Sequence, residues 1–243
     1  GGLIAGRDAV LAIEGLMQPA GAEWLAAKAQ ELTGRRPTHV VITHYHGDHA
    51  NGIAGYAAGG SSPPVRATAT TRDLVLTRNQ PADAARAAAL QGAPLSGTEG
   101  TTLDLGGRTV RVVPRRGHTA SDLTLEMEEP SIVFCGDLVW NAMFPNYVDA
   151  VPTELARSVA ALRRTRDTVY VPGHGALARE PELARYVAML EEVEAAARRA
   201  QRQGLTAEQA AEGFTLPPSL GEWALFNRAF FGRAFAAWYQ ELR

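Results

Sequence analysis

The stretch His39-Val40-Val41-Ile42-Thr43-His44-Tyr45-His46-Gly47-Asp48-His49 decides how this chain is read. An apolar segment built like a buried strand ends in three imidazoles and a carboxylate: His44, His46, Asp48 and His49. Imidazole and carboxylate hold zinc or iron at neutral pH, and core packing gives no reason to gather them at a strand end. The chain has 6 histidines in all, so half of them fall in the segment from His44 to His49.

Two more histidines occupy the same kind of position. Arg116-Gly117-His118-Thr119 follows a strand-like Val110 to Pro114, and Val171-Pro172-Gly173-His174-Gly175 follows Thr168 to Val171. Between them, Phe134-Cys135-Gly136-Asp137 ends another apolar run on a carboxylate. Each ligand-type residue stands beside a glycine that lets the backbone turn sharply. His39 opens its strand and is expected to be structural. The remaining candidates are five imidazoles and two carboxylates. A single catalytic zinc takes three protein ligands and a water, which is too few. Two metals about 3.5–4 Å apart, sharing a carboxylate and a hydroxide, use all of them.

Composition bounds the class. With 243 residues, 46% hydrophobic and 21% charged, the chain is long enough to bury a real core. A net charge of −2 gives no general basic field, so nucleic acid is not an expected partner. Cys135 is the single cysteine, which excludes intrachain disulfides and cysteine-rich zinc sites, and its apolar setting reads as core. No apolar stretch of about 18 residues exists, so no membrane span is expected. The chain begins Gly1-Gly2-Leu3 rather than Met, which suggests a removed leader or N-terminal segment. The expected setting is soluble, in a bacterial cytoplasm or periplasm.

Short apolar strands alternate with helical stretches, the pattern of an α/β protein. A hairpin is expected around Gly6-Arg7-Asp8, a helix over Ala22 to Leu32, and a strand over Thr38 to Thr43. Thr71 to Gln91 reads as helical with a break at Asn79-Gln80-Pro81. Hairpins follow around Gly106-Gly107 and Glu128-Glu129-Pro130, the second ending at Cys135. From Glu180 the pattern is helical, and the aromatic series Trp223, Phe226, Phe230, Phe231, Phe235, Trp238 and Tyr239 reads as core. No linker divides the chain. One domain over 1–243 is expected, with a C-terminal helical extension over about 180–243.

The motifs His44-x-His46-x-Asp48-His49, Gly117-His118-Thr119, Gly136-Asp137 and Gly173-His174-Gly175 together resemble the metallo-β-lactamase superfamily over roughly residues 1 to 180. The resemblance implies an αβ/βα sandwich, two mixed sheets packed face to face with helices outside. It assigns His44, His46 and His118 to one metal, Asp48, His49 and His174 to a second, and Asp137 to both. Two zinc ions are implied, with iron or manganese as substitutes. The reaction implied is cleavage of an ester, thioester, lactone or amide of a small molecule by a metal-bridging hydroxide, with Asp48 orienting the nucleophile. Thr119 and Asp122 are candidates for fixing histidine tautomers.

Asp137 bears on the branch, because β-lactamases of the superfamily generally carry cysteine or serine there. Its presence resembles the glyoxalase II and lactonase branch, and more narrowly the zinc hydrolases associated with sulfur oxidation or quinoprotein relay. The alternatives are a three-histidine-subclass β-lactamase, a mononuclear iron dioxygenase, a phosphodiesterase and a non-catalytic metal-binding module. Two departures stand out. Glu14 replaces the family's strand-ending aspartate, and the family's usual first strand or hairpin before Gly1 is absent or very short, which is expected to leave a sheet edge or pocket wall that a second copy could cover as a homodimer. Trp140, Met143, Phe144 and Tyr147 follow a metal strand and are the candidate substrate-pocket residues.

Overall fold

A computed structural model of the chain describes residues 1–60, 62–92, 94–95 and 99–243. Its strands fall into a four-stranded and a five-stranded sheet, both mixed, and the chain divides into two compact units. The first unit holds Gly1–Pro114 and Ser121–Glu129; the second holds Arg115–Ala120 and Pro130–Arg243.

In the first unit, β1 (Gly2–Ala5) pairs antiparallel with β2 (Val10–Ile13), as the Gly6-Arg7-Asp8 turn predicts. All four residues of β2 are buried. Helix α1 (Pro19–Thr33) starts on a proline and stops at Gly34, whose φ of +73° suits a residue without a side chain. Its buried Ala22, Leu25, Ala26 and Ala29 recur at helical spacing and make one apolar stripe. Strand β3 (His39–Val41) lies parallel to β2, and β4 (Val65–Arg66) lies parallel to β3. Ala12, Val40, Ile42, Tyr45, Ile53 and Tyr56 belong to the core beneath them.

The short helix α2 (Gly47–Ala50) follows β3. Helices α3 (Ala69–Arg78) and α4 (Ala84–Ala89) are separated at the expected break, where Gln80–Pro81 is cis. Strands β5 (Thr101–Asp104) and β6 (Thr109–Arg115) form the expected hairpin. Strand β7 (Asp122–Met127) is buried at every position.

In the second unit, β8 (Ile132–Trp140) pairs parallel with β9 (Val169–His174). Strand β8 runs five residues past Cys135, where the sequence suggests that it ends. The continuation is irregular: the pairing shifts register on both sides of Gly136, whose φ is +52°. Helices α5 (Pro152–Ala160), α6 (Glu180–Arg202), α7 (Ala207–Glu212) and α8 (Ala229–Glu241) complete the unit. Leu183, Tyr186, Leu190 and Val193 of α6 pack with Phe230, Phe231, Phe235 and Trp238 in one core. The aromatic series is therefore core in the main, with Phe226 the exception at 66% exposed. Cys135 is fully buried, as its apolar setting predicts.

Candidate metal centre

In the first unit, the buried strand β3 delivers the backbone to Thr43 and then into the His44–His49 segment. His46 caps α2 from extended backbone, and Asp48 and His49 lie on the helix itself. His44 Nε2 stands 3.1 Å from His46 Nδ1, and His49 Nε2 stands 3.4 Å from an oxygen of Asp48. The His44 and His49 rings lie 4.2 Å apart, so the four donors form one tight group.

Glu14 organises this group from behind. It ends β2, is buried, and has a left-handed φ of +75° that costs a non-glycine residue about 1–2 kcal/mol. One carboxylate oxygen accepts the Thr43 backbone N–H at 3.1 Å. The other accepts the Thr43 hydroxyl at 2.5 Å and lies 3.1 Å from His49 Nδ1. Its place against this carboxylate oxygen favours the ring proton on His49 Nδ1, which turns Nε2 toward Asp48. The Thr43 hydroxyl, having donated to Glu14, is left to accept from His44 Nδ1 at 3.0 Å. His44 Nε2 is thereby also left as a donor of electrons. The Tyr56 hydroxyl donates to the Glu14 carbonyl at 2.6 Å and holds the strained residue in place. Burial, and then the charge of Glu14, push the Tyr56 phenol far above its ordinary range, so it stays protonated.

In the second unit, the donors come from three places. His118 follows Gly117, whose carbonyl accepts the Val151 N–H at 2.9 Å. Asp137 lies in the irregular part of β8, and His174 ends β9, opposite Trp140. One oxygen of Asp137 stands 3.4 Å from His118 Nε2 and also 3.4 Å from His174 Nε2. His118 and Asp137 are buried, while the His174 side chain is 24% exposed. Gly173 makes the room: a Cβ there would lie 1.8 Å from the other oxygen of Asp137.

Both halves fit a metal. Two donors each 2.0–2.1 Å from a tetrahedral ion lie about 3.3–3.4 Å apart. The four donor pairs within the units span 3.1, 3.4, 3.4 and 3.4 Å. All the groups are imidazole or carboxylate, the set that suits zinc, iron or manganese.

The other residues singled out by the sequence lie as follows. His39 stays apart from the donors, with its ring 2.9 Å from the Thr38 hydroxyl, and burial and then Arg66 lower its pKa. Thr119 and Asp122 are buried. Phe144 and Tyr147 pack in the core of the second unit, Met143 is partly buried against it, and Trp140 stacks on His174 with ring centroids 4.0 Å apart. Sequence reasoning noted Glu14 only as a departure and gave Thr43 no role. The signal available was a carboxylate after an apolar run and beside a glycine, a feature Glu14 shares with Asp137.

Comparison with known proteins agrees with this construction. Residues 5–174 match the family model described as metallo-beta-lactamase superfamily, a span that includes every donor named above. A hydroxyacylglutathione hydrolase of Acidiphilium cryptum is 29% identical over 90% of this chain and 81% of its own length. One from Rhodospirillum rubrum is 28% identical over 93% of this chain and 80% of its own. An atrochrysone carboxyl ACP thioesterase of Aspergillus fumigatus is 27% identical over 65% of this chain, but over only 33% of its own length.

Among solved structures, a metallo-beta-lactamase from Pontibacter korlensis aligns with a TM-score of 0.65 at 20% identity, covering 78% of this chain and 85% of that one. A sec-alkylsulfatase from a Pseudomonas species aligns over 98% of this chain and 46% of that one, with a TM-score of 0.76 at 15% identity. At such identities the structures speak to fold alone. The chain belongs to the metallo-beta-lactamase superfamily, with that superfamily's α/β sandwich fold, and is one of its hydrolases. No helix among the described residues is long and apolar enough to cross a membrane.

Proposed function

We propose that this chain is a binuclear metal-dependent hydrolase of small-molecule thioesters and esters, with lactones and amides as related acyl substrates. His44, His46 and His118 would hold one metal, Asp48, His49 and His174 the other, and Asp137 both. The observation that carries this reading is the single Asp137 oxygen placed 3.4 Å from each of two imidazole nitrogens. From there Asp137 could share a cation with either imidazole, and, joined to the donors of the His44–His49 run, it would serve both sets. The names of the relatives, glutathione thioester hydrolase and carrier-protein thioesterase, support the choice of thioesters. An aspartate at 137 also weighs against β-lactams as the main substrates.

When bound, such a metal pair supplies a water ionised near neutral pH and a Lewis acid for the carbonyl oxygen. The chain's own residues do the positioning. Glu14 and Thr43 present His44 and His49 with Nε2 lone pairs forward, and Gly173 lets Asp137 sit between His118 and His174. The Asp48 side chain, 36% exposed, is open enough to accept a hydrogen bond from an attacking water and to pass its proton to the departing thiolate or alkoxide.

Metal analysis joined to an acyl-substrate panel tests the proposal. Two equivalents of zinc, iron or manganese, with thioester turnover lost on chelation and regained on adding metal, is the expected result. One equivalent per chain, or no turnover of any thioester, ester, lactone or amide by the two-metal protein, refutes it. Nitrocefin turnover faster than any thioester would move the reading to β-lactam hydrolysis.

A further inference from the structure

The turn after β8 is tied to a distant part of the second unit. Phe144 N–H donates to the Ala224 carbonyl at 2.9 Å, and Ala224 N–H donates to the Ala142 carbonyl at 2.9 Å. These two bonds make a short parallel bridge between Met143 and Ala224. Two residues beyond it stands Phe226. Its ring lies 6.3 Å from the Trp140 ring at 86° and 6.4 Å from the His174 ring at 84°. Trp140 itself stacks on His174. Phe226 thus stands edge-on to a fixed aromatic pair that includes a proposed metal ligand.

Exposure separates Phe226 from its neighbours in sequence. Phe230, Phe231 and Phe235 are buried in the core, while Phe226 is 66% exposed. The backbone bridge therefore holds an open phenyl ring beside His174, at the more exposed of the three donors in this unit. An apolar group of a substrate bound on the exposed side of His174 would meet that ring, whose centroid lies 6.4 Å from the imidazole.

We propose that Phe226 is a specificity-determining residue, whose ring, backed by Trp140, packs against an apolar and preferentially aryl group on the acyl side of the substrate. The proposal rests on the hydrolase reading for the position of the carbonyl. Covering part of one phenyl face with an apolar group is worth about a tenfold gain in affinity. Phe226 is exposed, so its removal leaves the core intact.

The test uses full-length, metal-loaded wild-type, Phe226→Ala and Phe226→Leu proteins matched for metal content. Calorimetry compares binding of phenylacetate and acetate, and kinetics compares phenylacetyl and acetyl thioesters of N-acetylcysteamine. The wild type should bind phenylacetate about tenfold more tightly than acetate, Phe226→Ala should abolish that preference, and Phe226→Leu should keep part of it. The kcat/KM for the phenylacetyl thioester should fall by a similar factor in Phe226→Ala, chiefly through KM, with the acetyl thioester changed less than about twofold. Equal binding of the two acids by the wild type, or a preference that survives Phe226→Ala, overturns the proposal even if both thioesters are hydrolysed. A preference that depends on Phe226 without any acyl turnover upholds it as a binding residue and removes the hydrolase reading instead.

Discussion

The two units carry the same donor chemistry but secure it differently. In the first unit the donors are nearly contiguous, His44 to His49, and they are backed by side-chain contacts that run from Glu14 to Thr43 and His49 and from Thr43 to His44. In the second unit His118, Asp137 and His174 come from separate stretches. There the register shifts of β8 on β9 and the open space at Gly173 help to set Asp137 beside His174. A contiguous run brings its donors together at little cost in chain entropy but leaves several ring orientations open, so it needs a polar scaffold. Donors drawn from distant strands are oriented as soon as the sheet forms, provided that no side chain intrudes.

The contrast can be broken most severely at Asp137. Asp137→Asn keeps the shape and removes the charge facing both His118 and His174, and hydrolysis should fall by about a thousandfold or more. Metal content per chain by mass spectrometry should fall below that of the wild type; wild-type content and rate would show that Asp137 is not a shared ligand. Next comes Gly173→Ala. A methyl 1.8 Å from a carboxylate oxygen must displace it, and a loss of about a hundredfold in kcat is expected, with a melting temperature lowered by overpacking worth about 1–3 kcal/mol. A Gly173→Ala protein with unaltered kcat would mean that the backbone of β9 does not set the position of Asp137.

The first unit should respond more gently, through affinity. Glu14→Gln leaves a side chain of similar size but weakens its bonds to Thr43 and His49, and competition with a chromophoric chelator should show metal binding about 10–100-fold weaker. Unchanged affinity would assign Glu14 to folding alone. The smallest change is expected for Thr43→Val, which deletes only the hydroxyl between Glu14 and His44; about tenfold weaker binding should result, restored by Thr43→Ser. Failure of serine to restore it would implicate the shape of the side chain rather than its hydroxyl.

How much of this could be read in the sequence follows from the same contrast. The His44–His49 run announced itself because neighbouring residues cannot be far apart, and the strand before it was plain from Val40-Val41-Ile42. His118, Asp137 and His174 were recognisable because each follows an apolar run beside a glycine. The extension of β8 to Trp140 was not visible, since Gly136-Asp137 looks like a strand end and the bulge that continues pairing depends on β9. The role of Glu14 was hidden for a related reason: its contacts lie 29 residues away in sequence, at Thr43. Nor could periodicity tell Phe226 from the buried aromatics that follow it, because Phe226 lies ahead of α8, two residues past the bridge to Met143, outside any helical repeat.

That bridge has an evolutionary consequence. Every donor named here lies at or before His174, where the family match also ends, whereas Phe226 lies 52 residues further on, in a segment joined to the turn after β8 by two backbone hydrogen bonds and packed on the core through Trp223 and Leu225. Main-chain bonds are indifferent to the side chains around them, so the exposed position 226 can vary without disturbing the donors, while Trp223 and Leu225 keep the segment on the core. Reaction and substrate choice are then written in separate stretches of the gene. An enzyme arranged in this way can change its diet while keeping its chemistry.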